Sequence, residues 1–307
     1  MDTPTPAART GLWLLTALLL LAAPAALIAI TLTGGEHRDH PPRPSATGTG
    51  AVTDSTAVGM EHVHGLGIDP ADGRLYAATH FGVFVVDDDG TAQRVGNMQD
   101  TMGFTIAGPS TFLASGHPDF AEDDEPLMGL IESTDAGRSW QPLSLRGEAD
   151  FHALRYAHDT VYGYDSTSGT FMTSADRRKW QRLSRLPLRD FAVSPTRPDA
   201  IIATTEQGPV RSADGGRTWQ HLPGAPALLV LAWPAEDTVY GTDVDGTVNV
   251  SADGGTTWAT RGSAGGQPEA MTVDPDRTRT VFAAIRGGGI VVSDDGGRTF
   301  TERYVPS

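Results

Sequence analysis

Five of the nine histidines, His62, His64, His80, His117 and His152, stand at the ends of apolar runs in the middle of the chain. His62 and His64 are two apart in the run HVHGLGI, so on a strand their rings point to one side. Neutral imidazoles that converge with a carboxylate suit zinc or copper, and Met60, Met98 and Met102 nearby extend the range to Cu(I). The spacing matches no established metal motif, so any convergence must come from the fold. A second set of polar residues, Asp165, Glu206, Asp243 and Arg286, continues the series that His80 and His117 begin. Each falls between two apolar runs, and together they read as a ring around a ligand mouth, because loop ends are where a rigid scaffold carries its chemistry. Glu61, Asp150 and Asp190 stand where the first runs of their units begin, the first two beside His62 and His152.

Paired carboxylates such as Asp165 with Glu206 or Asp243 are what glycoside hydrolysis requires. Nothing in the sequence selects one pair. Hydrolysis of an acidic sugar would also need guanidinium groups that fork onto the substrate carboxylate, and a nucleophile such as a tyrosine paired with a glutamate. Arg155, Arg189 and Arg286 are the inner arginines; Tyr156, Tyr162, Tyr164 and Tyr240 are present, but the tyrosines of the two VYG runs, Tyr162 and Tyr240, recur with the repeat and read as packing. No phosphate-binding glycine loop, Ser-His-Asp order or dinucleotide fingerprint is present. Cysteine is absent, which excludes disulfides, thiolate metal sites, a cysteine nucleophile and a lipidated cysteine anchor. The formal net charge of −15 argues against nucleic acid, which rewards basic surfaces.

The elements that must position these residues repeat. STDAGRSW begins at Ser133, SADRRKW at Ser174, SADGGRTW at Ser212, SADGGTTW at Ser251 and SDDGGRTF at Ser293, successive steps of 41, 38, 39 and 42 residues. A degraded copy, DDDGTAQR, begins at Asp87, and the longer step to Ser133 accommodates the acidic insertion HPDFAEDDEP. Each unit holds an apolar run, a turn, two further strands such as LYAAT and GVFVV, the box, and a short closing strand. Four strands in about 40 residues is the period of a propeller blade. The sequence therefore predicts an all-β propeller of about six four-stranded blades over residues 60–307. Within the boxes, Asp135, Asp176, Asp214, Asp253 and Asp295 are placed to accept from the amides of their own turn. Trp140, Trp180, Trp219, Trp258 and Phe300 are expected to pack a blade corner against its own strands.

The pattern S-x-D-G-G-x-T-W resembles the Asp box, or BNR repeat, of the sialidase superfamily. That repeat is shared with non-enzymatic propellers such as sortilin-type receptor domains and photosystem assembly factors. The opening HVHGLGIDPADGRLYAATHFGVF resembles exported bacterial proteins described as glycosyl hydrolase-like. The resemblance implies a propeller with structural Asp boxes. It implies hydrolase activity less directly, because the Arg-Ile-Pro opening of the sialidases is missing.

Ahead of the repeats, Gly11 to Leu32 carry no charge, enough residues to span a bilayer as a helix. The expected organisation is a cytoplasmic tail (1–10), a transmembrane signal anchor (11–32), a Pro-, Gly- and Ser-rich stalk (33–59) and a propeller on the extracytoplasmic side of the cell membrane. The alternative is cleavage near Ala22–Ala29 and secretion. The functional expectation is a binding or assembly module with a protein or glycan ligand. The alternatives are a glycoside hydrolase and a protein that handles copper or zinc.

Overall fold

A computed structural model describes residues 59–119 and 125–306 of the chain. The expected tail, anchor and all but the last residue of the stalk lie outside the described residues. These contain no helix, and none therefore long and apolar enough to cross a membrane. They form six antiparallel sheets of four consecutive strands each, a six-bladed propeller. Blade 1 runs from Val63 to Val95, blade 2 from Asp100 to Ser144, and blade 3 from Phe151 to Arg185. Blade 4 runs from Asp190 to His221, blade 5 from Val230 to Ser263, and blade 6 from Pro268 to Tyr304.

The apolar runs are continuous because each blade is covered on both faces by its neighbours. Leu75–Thr79 and Gly82–Val86, the middle strands of blade 1, are buried at every residue. The first strands of neighbouring blades pack side by side around the ring, which puts them next to the axis. Gly103 shows how tightly: a Cβ there would lie 2.2 Å from the Phe151 carbonyl oxygen of the next blade. The last strands, such as Gln141–Ser144 and Ala259–Ser263, form the exposed outer wall.

The core is accordingly not inside the blades but between them. Six apolar clusters occupy the six junctions, one for each pair of adjacent blades. This changes the reading of the box aromatics. Trp219 of blade 4 packs edge-on to Phe171 of blade 3, with ring centres 5.4 Å apart, and donates its indole N–H to Ser184 Oγ of blade 3 at 2.9 Å. Trp180 of blade 3 donates likewise to Ser144 Oγ of blade 2 at 2.9 Å, while stacking on Phe151 of its own blade. Trp140, Trp258 and Phe300 sit at the corresponding junctions with the preceding blades. The box aromatics are therefore staples between blades, not corners of one blade, because the box turn overhangs the outer strand of its predecessor.

The box aspartates do what their position predicts. Asp214 Oδ1 accepts the Thr218 amide at 2.9 Å and the Ser212 hydroxyl at 2.8 Å, and its Oδ2 accepts the Thr218 hydroxyl at 2.6 Å. Asp135, Asp253 and Asp295 repeat the arrangement with Ser139, Thr257 and Thr299. Asp176, whose box lacks the glycine pair, keeps only the amides of Arg178 and Lys179 and the Ser174 hydroxyl. The degraded copy at Asp87 is a plain hairpin turn, and its carboxylate is forked by Arg74 at 2.9 and 2.7 Å.

The ring closes by side-chain packing and polar contacts, without exchange of a strand between first and last blades among the described residues. The junction of blades 6 and 1 is filled by Met60 and Tyr304, with no box aromatic. Arg303 of blade 6 reaches across to the Val86 carbonyl at 3.2 Å and to Asp88 at 2.7 Å. Gly288 is required here: its φ is 84°, and a Cβ would lie 1.7 Å from the Met60 carbonyl oxygen.

Candidate functional site

Four blades share one irregularity in the strand nearest the axis. In blade 1, Val63 pairs with Thr79 and Gly65 with Ala78, which leaves His64 as an extra, unpaired residue. In blade 2, Thr101 pairs with Gly116 and Gly103 with Ser115, leaving Met102. In blade 3 the residue left out is His152, and in blade 6 it is Glu269. A β-bulge breaks the alternation of a strand and re-aims one side chain. All four bulged residues line a single cavity of about 560 Å3 at the mouth of the channel. The other walls are His62, Arg155, Arg189, Asp190, Glu206 and Arg286, over an apolar floor that includes Leu66, Phe104 and Leu154.

The histidines gather on the side of blades 1 to 3. The ring centres of His64 and His80 are 4.4 Å apart, those of His62 and His80 5.5 Å, and those of His62 and His64 6.3 Å. His64 Nε2 lies 3.3 Å from His80 Nδ1, which in turn lies 2.8 Å from Asp100 Oδ1. His80 is held in a two-residue turn in which Thr79 Oγ1 donates to the Gly82 carbonyl and accepts the Phe81 amide. His62, at a φ of 49° that few residues other than glycine adopt, places Nδ1 3.0 Å from Glu269 Oε1. Glu269 Oε2 accepts the Val63 amide at 2.9 Å, so the carboxylate is pinned from the backbone. Burial, with the imidazoles of His80, His152 and His62 and the Arg189 guanidinium around it, holds the His64 imidazole down to about 3. It is therefore neutral at physiological pH.

His117 and His152 form a second group around Asp150. Asp150 Oδ2 lies 2.7 Å from His152 Nε2 and 3.7 Å from His117 Nε2, and it accepts the Ser166 hydroxyl at 3.0 Å. Its Oδ1 is buried without a hydrogen-bond partner among the described residues. Burial opposes the charge on Asp150, but hydrogen bonding to His152 and the nearby imidazoles outweigh it and hold its carboxyl below the usual range. His117 is anchored separately, Nδ1 to the Pro126 carbonyl at 2.7 Å.

The ring of junction residues divides. Glu206 and Arg286 reach the cavity. Asp165 is buried and turned into its own hairpin, accepting the Thr167 hydroxyl at 2.7 Å and the Asp150 amide at 3.1 Å, with Ser168 close by. Asp243 caps its own turn through the Asp245 and Thr247 amides at 3.0 and 2.8 Å. A short polar side chain at a tight turn finds the local amides before it can reach a ligand. Of the arginines, Arg155 is committed to Asp190 at 2.5 Å, and Arg286 donates to Gln267 Oε1 at 3.0 Å. Arg189 and Glu206 make no side-chain ion pair among the described residues.

Glu269, Asp100 and Gln267 were not legible as site residues from type and spacing. A signal for the bulged positions exists in retrospect. His64-Gly-Leu, Met102-Gly-Phe, His152-Ala-Leu and Glu269-Ala-Met each place the re-aimed residue before a small one and then a large apolar one.

No protein-family model matches the chain, and no curated protein matches it. Solved structures do resemble it in fold. The GH74 xyloglucanase of Xanthomonas campestris is 17% identical at a TM-score of 0.55, over 80% of this chain and 46% of that enzyme. A structure of YCF48 bound to D1 peptide is 14% identical at a TM-score of 0.52, over 82% and 85% of the two chains. A chain of the nidogen/laminin complex is 12% identical at a TM-score of 0.56, over 71% and 88%. The chain thus spans about half the length of the xyloglucanase it resembles, and at these identities what is shared is the propeller fold alone.

Proposed function

We propose that the chain is a binding or assembly module, presented on the extracytoplasmic side of the membrane, that holds a segment of a partner protein in the channel mouth. The observation that carries this reading is the shared bulge. Four blades each carry one extra, unpaired residue at the corresponding position of the innermost strand, and each such residue lines one cavity. Such a repeated departure from regular pairing is a constructed feature. The carboxylates near the axis support binding over hydrolysis. Asp190 is occupied by Arg155, Glu269 by His62 and the Val63 amide, and Asp165 and Asp243 by their own turns. Among the described residues Glu206 is the cavity carboxylate left without a side-chain partner, and one carboxylate does not make the acid and nucleophile pair of a glycosidase. Arg189 and Glu206 offer charges of both signs to a polar peptide. Propellers of this fold bound to a peptide, as in YCF48 with D1 peptide, make the mode physically reasonable.

The test is site-specific photo-crosslinking of the full-length chain in its own cell. A crosslinker in place of Glu206 is expected to give one discrete adduct, suppressed by Arg189→Glu. The same crosslinker in place of Arg217, on the Asp-box rim, is expected to give none. Adducts from position 217 alone would overturn the proposal. Release of reducing sugar from xyloglucan by the wild-type chain, abolished in Glu206→Gln, would replace it with the hydrolase reading.

A further inference from the structure

We propose that the corner of the mouth formed by His64, His80 and Asp100 binds a divalent transition metal, zinc(II) or copper(II), through His64 Nε2, His80 Nδ1 and Asp100 Oδ1, with a further coordination position open to the cavity. The inference rests on the mouth being a binding site and names what one corner of it holds.

Two of the three separations are those of a coordination shell. Ligand atoms about 2.0–2.1 Å from one ion stand about 3.3 Å apart at a tetrahedral angle and about 2.9 Å apart at a right angle. The two imidazole nitrogens are 3.3 Å apart, and His80 Nδ1 is 2.8 Å from the carboxylate oxygen. The three side chains offer one atom each within 4.8 Å of one another, which no other trio of histidines and carboxylates does among the described residues.

Proton counting points the same way. The Nδ1–H of His80 satisfies Asp100 as a donor, and His64 Nε2 then faces a nitrogen whose proton is already engaged. If instead His64 Nε2 carries the proton and donates to His80, Asp100 loses its donor. One proton cannot serve both contacts well, whereas a cation accepts all three lone pairs at once.

The supporting frame is rigid. The bulge lifts His64 out of the ladder, Thr79 clamps the turn that carries His80, and Asp100 opens the first strand of the next blade. His62 stands beside them, oriented by a carboxylate that is itself held by an amide, the kind of outer support that metal-ligating histidines use. The donor set excludes other ions. There is no thiolate to select a soft metal, and two imidazoles with one carboxylate suit zinc or copper(II), not calcium or magnesium, which need a shell of oxygens.

The decisive experiment uses the full-length, tag-free chain, stripped with chelator. Zn(II) is titrated against a competing chromophoric chelator, and Cu(II) is followed by electron paramagnetic resonance. One equivalent of either metal is expected, with a copper spectrum showing two nitrogen ligands, and no uptake of Ca(II) or Mg(II) at the same concentration. His64→Ala, His80→Ala and Asp100→Asn are each expected to weaken binding about tenfold or more. His158→Ala and His221→Ala, outside the mouth, are expected to leave it unchanged. Thermal unfolding without metal identifies any variant that merely fails to fold, and His80→Gln then replaces His80→Ala. Binding that survives the double variant His64→Ala/His80→Ala, or that is lost in His37→Ala/His40→Ala instead, overturns the proposal, as does substoichiometric uptake by the wild-type chain. A photo-adduct from position 206 that persists in the metal-free chain would separate failure of this site from failure of the mouth as a binding surface.

Discussion

Asp214 and Asp253 are acceptors whose charge the turn depends on. Hydrogen bonds from Thr218 and its amide, and from Thr257 and its amide, hold the two carboxyls down to about 2. In the unfolded chain such groups titrate near 3.9. Their contribution to stability is therefore complete above about pH 4 and is lost as pH falls toward 2. Urea midpoints measured at pH 5, 3 and 2 are expected to fall, and to fall less steeply in Asp214→Asn/Asp253→Asn. An identical slope in the variant would show that the boxes are not what acid attacks. The same residues illustrate what a sequence reveals at this scale. An aspartate two residues after a serine and four before a threonine has partners fixed by local geometry, so its role could be read directly. Glu269 could not, because its partner His62 is over 200 residues away in the chain and meets it only where the ring closes.

Trp219 belongs to its own box by sequence and to the neighbouring blade by contact, and its loss is felt at the junction. Trp219→Ala is expected to lower stability by about 3 kcal/mol, through the lost contact with Phe171 and the lost hydrogen bond to Ser184. Urea denaturation is the measurement, and Trp219→Phe should recover most of the loss because it restores the ring but not the N–H. The mouth, on the opposite rim, should be unaffected; loss of ligand binding in a folded Trp219→Ala protein would contradict this. The blades themselves were legible because four strands, a box and a step of about 40 residues leave one architecture. The direction of the aromatics was not, since periodicity along a chain does not say which of two adjacent faces a side chain covers. The bulges were hidden for a related reason. A strand register is a property of a pair, and His64 is an extra residue only relative to Thr79 and Ala78.

For the molecule as a whole, the uncharged run Gly11–Leu32 predicts that fractionation leaves the chain with membranes and that protease added to spheroplasts removes the propeller. Release of a mature chain beginning just after Ala29 would show cleavage instead. The junction of blades 6 and 1 is the one without a box aromatic, and it depends on Gly288 lying against Met60. Gly288→Ala forces a left-handed φ and a steric overlap on that seam, and is expected to cost about 1–3 kcal/mol. Hydrogen exchange should then quicken first in Gly289–Ser293 and Val63–Ile68. The absence of strand exchange has a separate consequence. Every blade is made from one uninterrupted length of chain, and a Cβ placed on Gly59 would lie 3.9 Å from the Tyr304 hydroxyl, so the described chain starts beside the last strand. Nothing topological therefore marks blade 1 as first. A gene rearranged to begin at Pro226, in the loop between blades 4 and 5, with a short linker joining Pro306 to Gly59, should encode the same ring with its mouth intact. The order of blades would then be an accident of descent, and a lineage could gain, lose or reorder whole blades by recombination at these loops without crossing a strand.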